Sequence, residues 1–155
     1  MRRKIQKYLS GEREGFSLIE LIIVIAIMAI LIGVVALVVL PYLESSREST
    51  DRAALNEVAT AFKSAASGNE KFAKEAAALN ATGVLITGFS DDFKTKINKY
   101  LERPVDKIEE AFSSDACKNA HFYFAKDADK GFFVYLSKNG ETVKDTNGTE
   151  YSSIK

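Results

Sequence analysis

The sequence predicts an α+β fold: a long N-terminal α-helix, apolar in its first half and amphipathic in its second, with the amphipathic half packed on a small antiparallel β-meander. Three observations predict it. Residues 16–40 form an almost unbroken apolar run. Beyond them an apolar stripe recurs at three- and four-residue spacing through Ala54, Leu55, Val58, Ala59, Phe62, Ala65 and Ala66, which places those side chains on one helical face. The last third then changes to aromatic and β-branched runs separated by Asn-Gly turn signals.

Composition bounds the rest. The chain has 155 residues, and its 21 Lys+Arg balance 21 Asp+Glu. Once the apolar run is set aside, the remaining length suits one small water-soluble domain. Arg2, Arg3, Lys4, Lys7 and Arg13 face only Glu12 and Glu14 within the first fifteen residues, so the remainder is slightly acidic. It offers no basic stripe for a nucleic acid. Cys117 is the only cysteine, so an intramolecular disulfide is excluded and the domain must be held by its core.

Within 16–40, Ser17 and Glu20 are the conventionally polar side chains. A helix rising about 1.5 Å per residue would let this run cross a hydrocarbon layer about 30 Å thick. The basic leader in front of it stays on the cytoplasmic side by the positive-inside rule, leaving the soluble domain outside. A cleaved secretory signal would instead show an apolar region of about 7–15 residues and a small-residue site on its far side. A carboxylate five residues into such a span costs about 2.5 kcal/mol or more at mid-bilayer, so Glu20 needs a partner or a task.

The leader ending in Gly15, followed by Phe16-Ser17-Leu18-Ile19-Glu20-Leu21 at the head of an apolar helix, resembles the type IV pilin superfamily. That group includes type IV pilins, competence pilins and the pseudopilins of type II secretion. The resemblance implies cleavage between Gly15 and Phe16 by a prepilin peptidase, and N-methylation of the new Phe16 terminus. It also implies a homo-oligomeric helical filament assembled with a platform protein and an ATPase, and a salt bridge between the Phe16 amine and Glu20. Charge physics agrees: an amine at a helix start in a low-dielectric setting needs an anion, and Glu20 lies one turn away. In staggered parallel helices the carboxylate can reach a neighbour's amine instead.

Gly33 and Pro41 bracket a stretch of helix that backbone chemistry weakens. Glycine loosens its turn, and proline removes one hydrogen bond while crowding the carbonyl of Leu37. The resemblance implies that the helix between them melts and extends in a filament. The expected organisation is a leader at 1–15, a transmembrane and assembly helix at 16–41, its amphipathic continuation at 42–67, and a globular head at 68–155.

In order along the head, Glu44 to Arg52 lacks apolar residues and marks the passage into water, and the long helix stops at Gly68-Asn69. A second helix is predicted from Glu70 to Leu79, with Phe72, Ala76 and Leu79 on one side, ended by Asn80-Ala81-Thr82-Gly83. Val84-Leu85-Ile86 suits an edge strand or a core-filling loop. Ser90 is placed as N-cap of a helix carrying Phe93, Ile97, Tyr100 and Leu101, which closes before Pro104. A further turn or two follows from Val105 to Phe112. Strands are expected at 121–125, 132–136, 141–145 and 149–154, three or four of them forming the meander, with one face on the stripe from Leu55 to Phe62.

Catalytic chemistry needs a constellation, and none assembles here; no cofactor or metal site is predicted. His121 sits inside a predicted strand, and Cys117 has no second cysteine to form a metal or redox pair. Asp91-Asp92 and Asp127 with Asp129 are explained by a helix start and a turn. Asn80-Ala81-Thr82 and Asn147-Gly148-Thr149 fit a glycan acceptor pattern but serve as turns. The aromatic strands are expected to be core. The function expected is that of a pilin-like structural subunit, anchored in the cytoplasmic membrane before assembly and part of a cell-surface pilus after it. The alternatives are a minor pilin or type II secretion pseudopilin, and a membrane-anchored binding protein that never polymerises.

Overall fold

A computed structural model describes residues 16–129 and 131–153. The leader with Gly15, together with Lys130, Ile154 and Lys155, lies outside the described residues. The chain forms two compact units, Met1–Pro41 and Tyr42–Lys155.

Helix α1, Leu18–Ser67, is 50 residues long and begins in the first unit, where its side chains are exposed on every face. That pattern suits a helix solvated by lipid or by copies of itself. β-Branched residues such as Ile22, Ile23, Val24 and Ile25 carry little helical preference; an apolar solvent enforces the helix because only internal hydrogen bonds satisfy the backbone. In the second unit the same helix becomes one-sided, burying Leu55, Val58, Ala59, Ala61, Phe62, Ala65 and Ala66. The predicted stop at Gly68 holds.

Helix α2, Glu70–Ala77, is capped by the Asn69 side chain, which accepts the Lys71 N–H at 2.8 Å. It ends two residues before the predicted Leu79, because the turn through Asn80 to Gly83 begins there. Gly83 is required at that turn: its φ is +72°, and a Cβ would lie 3.0 Å from the Phe124 carbonyl oxygen. Strand β1, Val84–Leu85, and a 3₁₀ turn, Ile86–Gly88, follow. Helix α3, Asp91–Leu101, has Ser90 at its N-cap position, but the serine does not cap it. Its N–H and hydroxyl both donate to Glu75, at 2.5 and 2.8 Å, tying the start of α3 to α2. Helix α4, Val105–Glu110, begins after Pro104.

Strands β2 (His121–Asp127), β3 (Gly131–Lys138) and β4 (Glu141–Thr142) complete an antiparallel sheet of order β1-β2-β3-β4. Phe122 pairs with Leu136 and Phe124 with Val134. The sheet has the predicted number of strands but not the predicted set. β4 pairs only with Ser137 and Lys138, so the middle of β3 still has an open edge. The chain swings out after Val143, whose N–H still donates to the Leu136 carbonyl at 2.9 Å, and returns there, with the Leu136 N–H donating to the Tyr151 carbonyl at 2.9 Å and the Ser153 N–H to that of Val134 at 2.8 Å. Of the expected strand 149–154, residues 149–153 are therefore a clasp on β3 rather than a strand of their own, and β1 takes the fourth place.

The core lies between α1 and one face of the sheet. The Phe62 ring meets Phe124 at 5.0 Å, Phe89 and Phe93 at 5.8 Å, and Phe132 at 5.9 Å. Strand alternation directs Phe122, Phe124, Val134 and Leu136 inward. The opposite face carries half-buried Tyr123, Phe133 and Tyr135, stacked on one another at 5.4 and 5.9 Å. The expectation that the aromatic strands are core thus holds for one face only.

Candidate functional site: the start of the apolar helix

The beginning of α1 is built by Ser17 and Glu20. Ser17 immediately precedes the first helical residue, and its carbonyl accepts the Leu21 N–H at 3.2 Å. Three positions on, the Glu20 carboxylate turns back and accepts the Ser17 backbone N–H at 2.8 Å. Ser-x-x-Glu at a helix start is a capping-box pattern, in which the acidic side chain satisfies a donor the helix leaves open. A carboxylate there also opposes the positive end of the helix dipole. Glu20 therefore has a task within its own chain besides any contact outside it. The pattern is legible in the sequence but escapes a reading that treats Glu20 only as a charge in a membrane.

Phe16 lies next to this cap and is 85% exposed. Gly15, the other half of the expected processing site, is outside the described residues. Behind the cap the wall of α1 is apolar and exposed, from Leu18 at 75% to Leu37 at 79%. By length and composition this is a helix able to cross a membrane. Gly33 and Pro41 both sit inside α1, and a Cβ at Gly33 would meet nothing within 4 Å, so packing within the chain does not demand glycine there.

A second cluster lies in the stretch that sequence reasoning treats only as a passage into water. Glu44, Glu48, Asp51 and Arg52 share one side of α1, at spacings of four, three and one, and fasten two loops of the head. Glu44 accepts the Asp115 N–H at 2.6 Å. Asp51 accepts the N–H groups of Ser113 and Ser114 at 3.2 and 2.9 Å, and the Ser114 hydroxyl at 2.5 Å. Glu48 takes the N–H and hydroxyl of Thr146 at 2.9 and 3.2 Å. Arg52 donates to the Asp145 carboxylate at 2.7 Å and to the carbonyls of Thr149 and Glu150 at 3.1 Å, with its guanidinium 4.3 Å above the Tyr151 ring. Glu48 and Asp51 are buried, where charges persist only when fully hydrogen-bonded. Helical spacing among these charges is the signal that could have revealed the cluster.

The Asp145 carboxylate is held below the usual range. Burial acts to raise it, but the Thr149 N–H, Arg52 and the Asn147 N–H together outweigh that. Cys117 is buried, and burial pushes its thiol up to about 11, so it is a packed side chain rather than a reactive thiolate. The Tyr151 hydroxyl lies buried near Ser114 and Cys117 without a partner in hydrogen-bond geometry, and burial raises its pKa. His121 is exposed on β2 and its Nδ1 meets Glu109 at 2.8 Å. Asp127 accepts the Asp129 N–H at 2.9 Å within a turn, and Asp91 and Asp92 pair with Lys94 and Lys71. No group of three or more metal-ligating side chains occurs among the described residues.

Residues 12–40 match the family model described as the prokaryotic N-terminal methylation motif. No curated protein and no solved structure matches this chain. The matched segment holds Phe16, the Ser17–Glu20 cap and the exposed apolar part of α1 up to Leu40. The chain carries the prepilin signal of the type IV pilin-like proteins.

Proposed function

We propose that the chain is a structural subunit of a type IV pilin-like filament. Its leader is removed between Gly15 and Phe16 by a prepilin peptidase, Phe16 is N-methylated, and the mature chain polymerises through the apolar part of α1 into a fibre on the cell surface. The observation that carries this reading is the coincidence, within the methylation motif, of a capped helix start with a long helix exposed on all faces. Such a wall is satisfied by lipid while the subunit waits and by copies of itself afterwards.

Glu20 then acts twice. In the membrane-held precursor it caps the Ser17 N–H; after cleavage it faces a new cation one turn away. Packing copies side by side with an axial offset lets the carboxylate meet a neighbour's Phe16 amine, which couples subunit addition to register. A stack of this kind is heterologous and does not close, so it grows as a fibre. The assembly platform and its ATPase supply extraction from the membrane.

The test is to shear filaments from cells and determine the first residue of their subunit. N-methyl-Phe16 as the mature start supports the proposal. A chain that remains full length in cells and yields no fibre overturns it and leaves a membrane-anchored binding protein.

A further inference from the structure

Outside the apolar helix, the head carries a cavity of about 550 Å³ between the β1–3₁₀ segment, α4 and the start of β2. That volume is in the range of sites that accept a side chain or a small ligand. Leu85, Ile86 and Phe112 give it an apolar lining, and Asp106, Glu109 and Glu110 line it with carboxylates. The positive groups beside it are already engaged. Lys118 pairs with Asp115 at 2.7 Å, Lys107 with Glu110 at 2.6 Å, and His121 with Glu109 at 2.8 Å. Asp106 is exposed and has no ion pair among the described residues. Two of those pairs also occupy Glu109 and Glu110, so Asp106 is the lining carboxylate left to meet a cation, and the cavity favours a group with an apolar body and one positive charge.

The same chain presents such a group elsewhere. Beyond Leu43, Leu85 and Tyr100 are the exposed large apolar side chains among the described residues, at 36% and 49%. Leu85 borders the cavity. Tyr100 stands on α3 beside a separate groove, formed with Asn56, Glu57 and Thr60 of α1, that shares no residue with the cavity. Lys96 lies over the Tyr100 ring at 5.4 Å, and Lys99 is exposed next to it. Neither lysine has a carboxylate partner among the described residues.

We propose that the cavity receives the Lys96–Lys99–Tyr100 ridge of a second copy, making a head-to-head contact between subunits. The inference rests on the filament reading above: a contact between two unlike surfaces of one molecule is heterologous, and along a helical stack it repeats from subunit to subunit. Tyrosine enters against Leu85, Ile86 and Phe112, while Lys99 approaches Asp106. Aromatic anchors ringed by charge are the usual energetic centre of such contacts.

The test uses the full chain in cells, with D106K, K99D and the double swap compared for surface filament yield. Both substitutions fall on exposed residues, and circular dichroism of each variant checks that the head is folded. Each single variant should lower the yield about tenfold through like-charge approach, and the double swap should restore it. In parallel, Thr87→Cys with Lys99→Cys should give a disulfide-linked ladder from oxidised filaments, absent in either single variant. Filaments that form normally in the single swaps, or that give no ladder, overturn the contact while leaving the filament reading intact. A wild-type chain that makes no filaments overturns both.

Discussion

Glu20 and Asp51 show how differently one carboxylate can serve the same helix. Glu20 stands on an exposed apolar surface, where its bond to the Ser17 N–H serves the start of α1. Replacing it with alanine removes one cap, worth about 1 kcal/mol to the helix, and leaves the head unchanged. The expected result for E20A is normal head folding with much reduced filament yield; wild-type filament levels would remove its assembly role. Asp51 is buried and holds three donors of the 113–114 loop, so Asp51→Ala leaves them without their acceptor and should cost about 2–4 kcal/mol, seen as a lowered denaturation midpoint. Asp145 adds a pH dependence. Its folded pKa lies below the ordinary aspartate value of about 3.9, so its stabilisation is complete above that value and is lost as pH falls through the folded pKa. Amide exchange across 145–151 should rise on acidification below about pH 4, and Asp145→Asn should flatten that response.

Among the elements, α1 carries the organisation of both units, and its legibility varied with the physics involved. The apolar run and the stripe through Leu55, Val58 and Phe62 were readable because burial imposes a period on the sequence. The cap at Ser17–Glu20 was present as a four-residue pattern, yet a charge in a lipid segment suggests an external partner before an internal one. Helical spacing marks Glu44, Glu48, Asp51 and Arg52 as one side of α1, but which loops they anchor was not readable, because their hydrogen-bond partners lie about 60 to 100 positions away in the chain and only folding brings them together. For the same reason the C-terminal segment read as a strand: Asn147-Gly148 signals a turn, but which edge its flanks join depends on how much of β3 the short β4 leaves open. Phe62, in contact with four other rings, tests the core directly. Phe62→Ala should destabilise the head by about 3–5 kcal/mol in a denaturant titration. Gly33→Ala meets no neighbour and should strengthen the helix by roughly 0.5–1 kcal/mol. If the Gly33–Pro41 stretch must unwind in a stretched fibre, that variant should need a higher force to extend.

At the scale of the whole molecule, the sequence divides its labour between two kinds of stability. The head folds on a single core, charged side chains of α1 clamp its loops, and Cys117 is buried packing. Among the described residues nothing covers the apolar part of α1, and its exposed wall is the property that an assembly through helices would use. A density map of filaments sheared from cells, carried to side-chain resolution, tests this most directly. The expected map shows apolar helices beginning at Phe16 bundled along the filament axis, heads outside, and each Glu20 carboxylate within about 4 Å of a neighbouring Phe16 amine. A fibre held together by its heads, with residues 16–40 exposed or absent and Glu20 facing no amine, would contradict it.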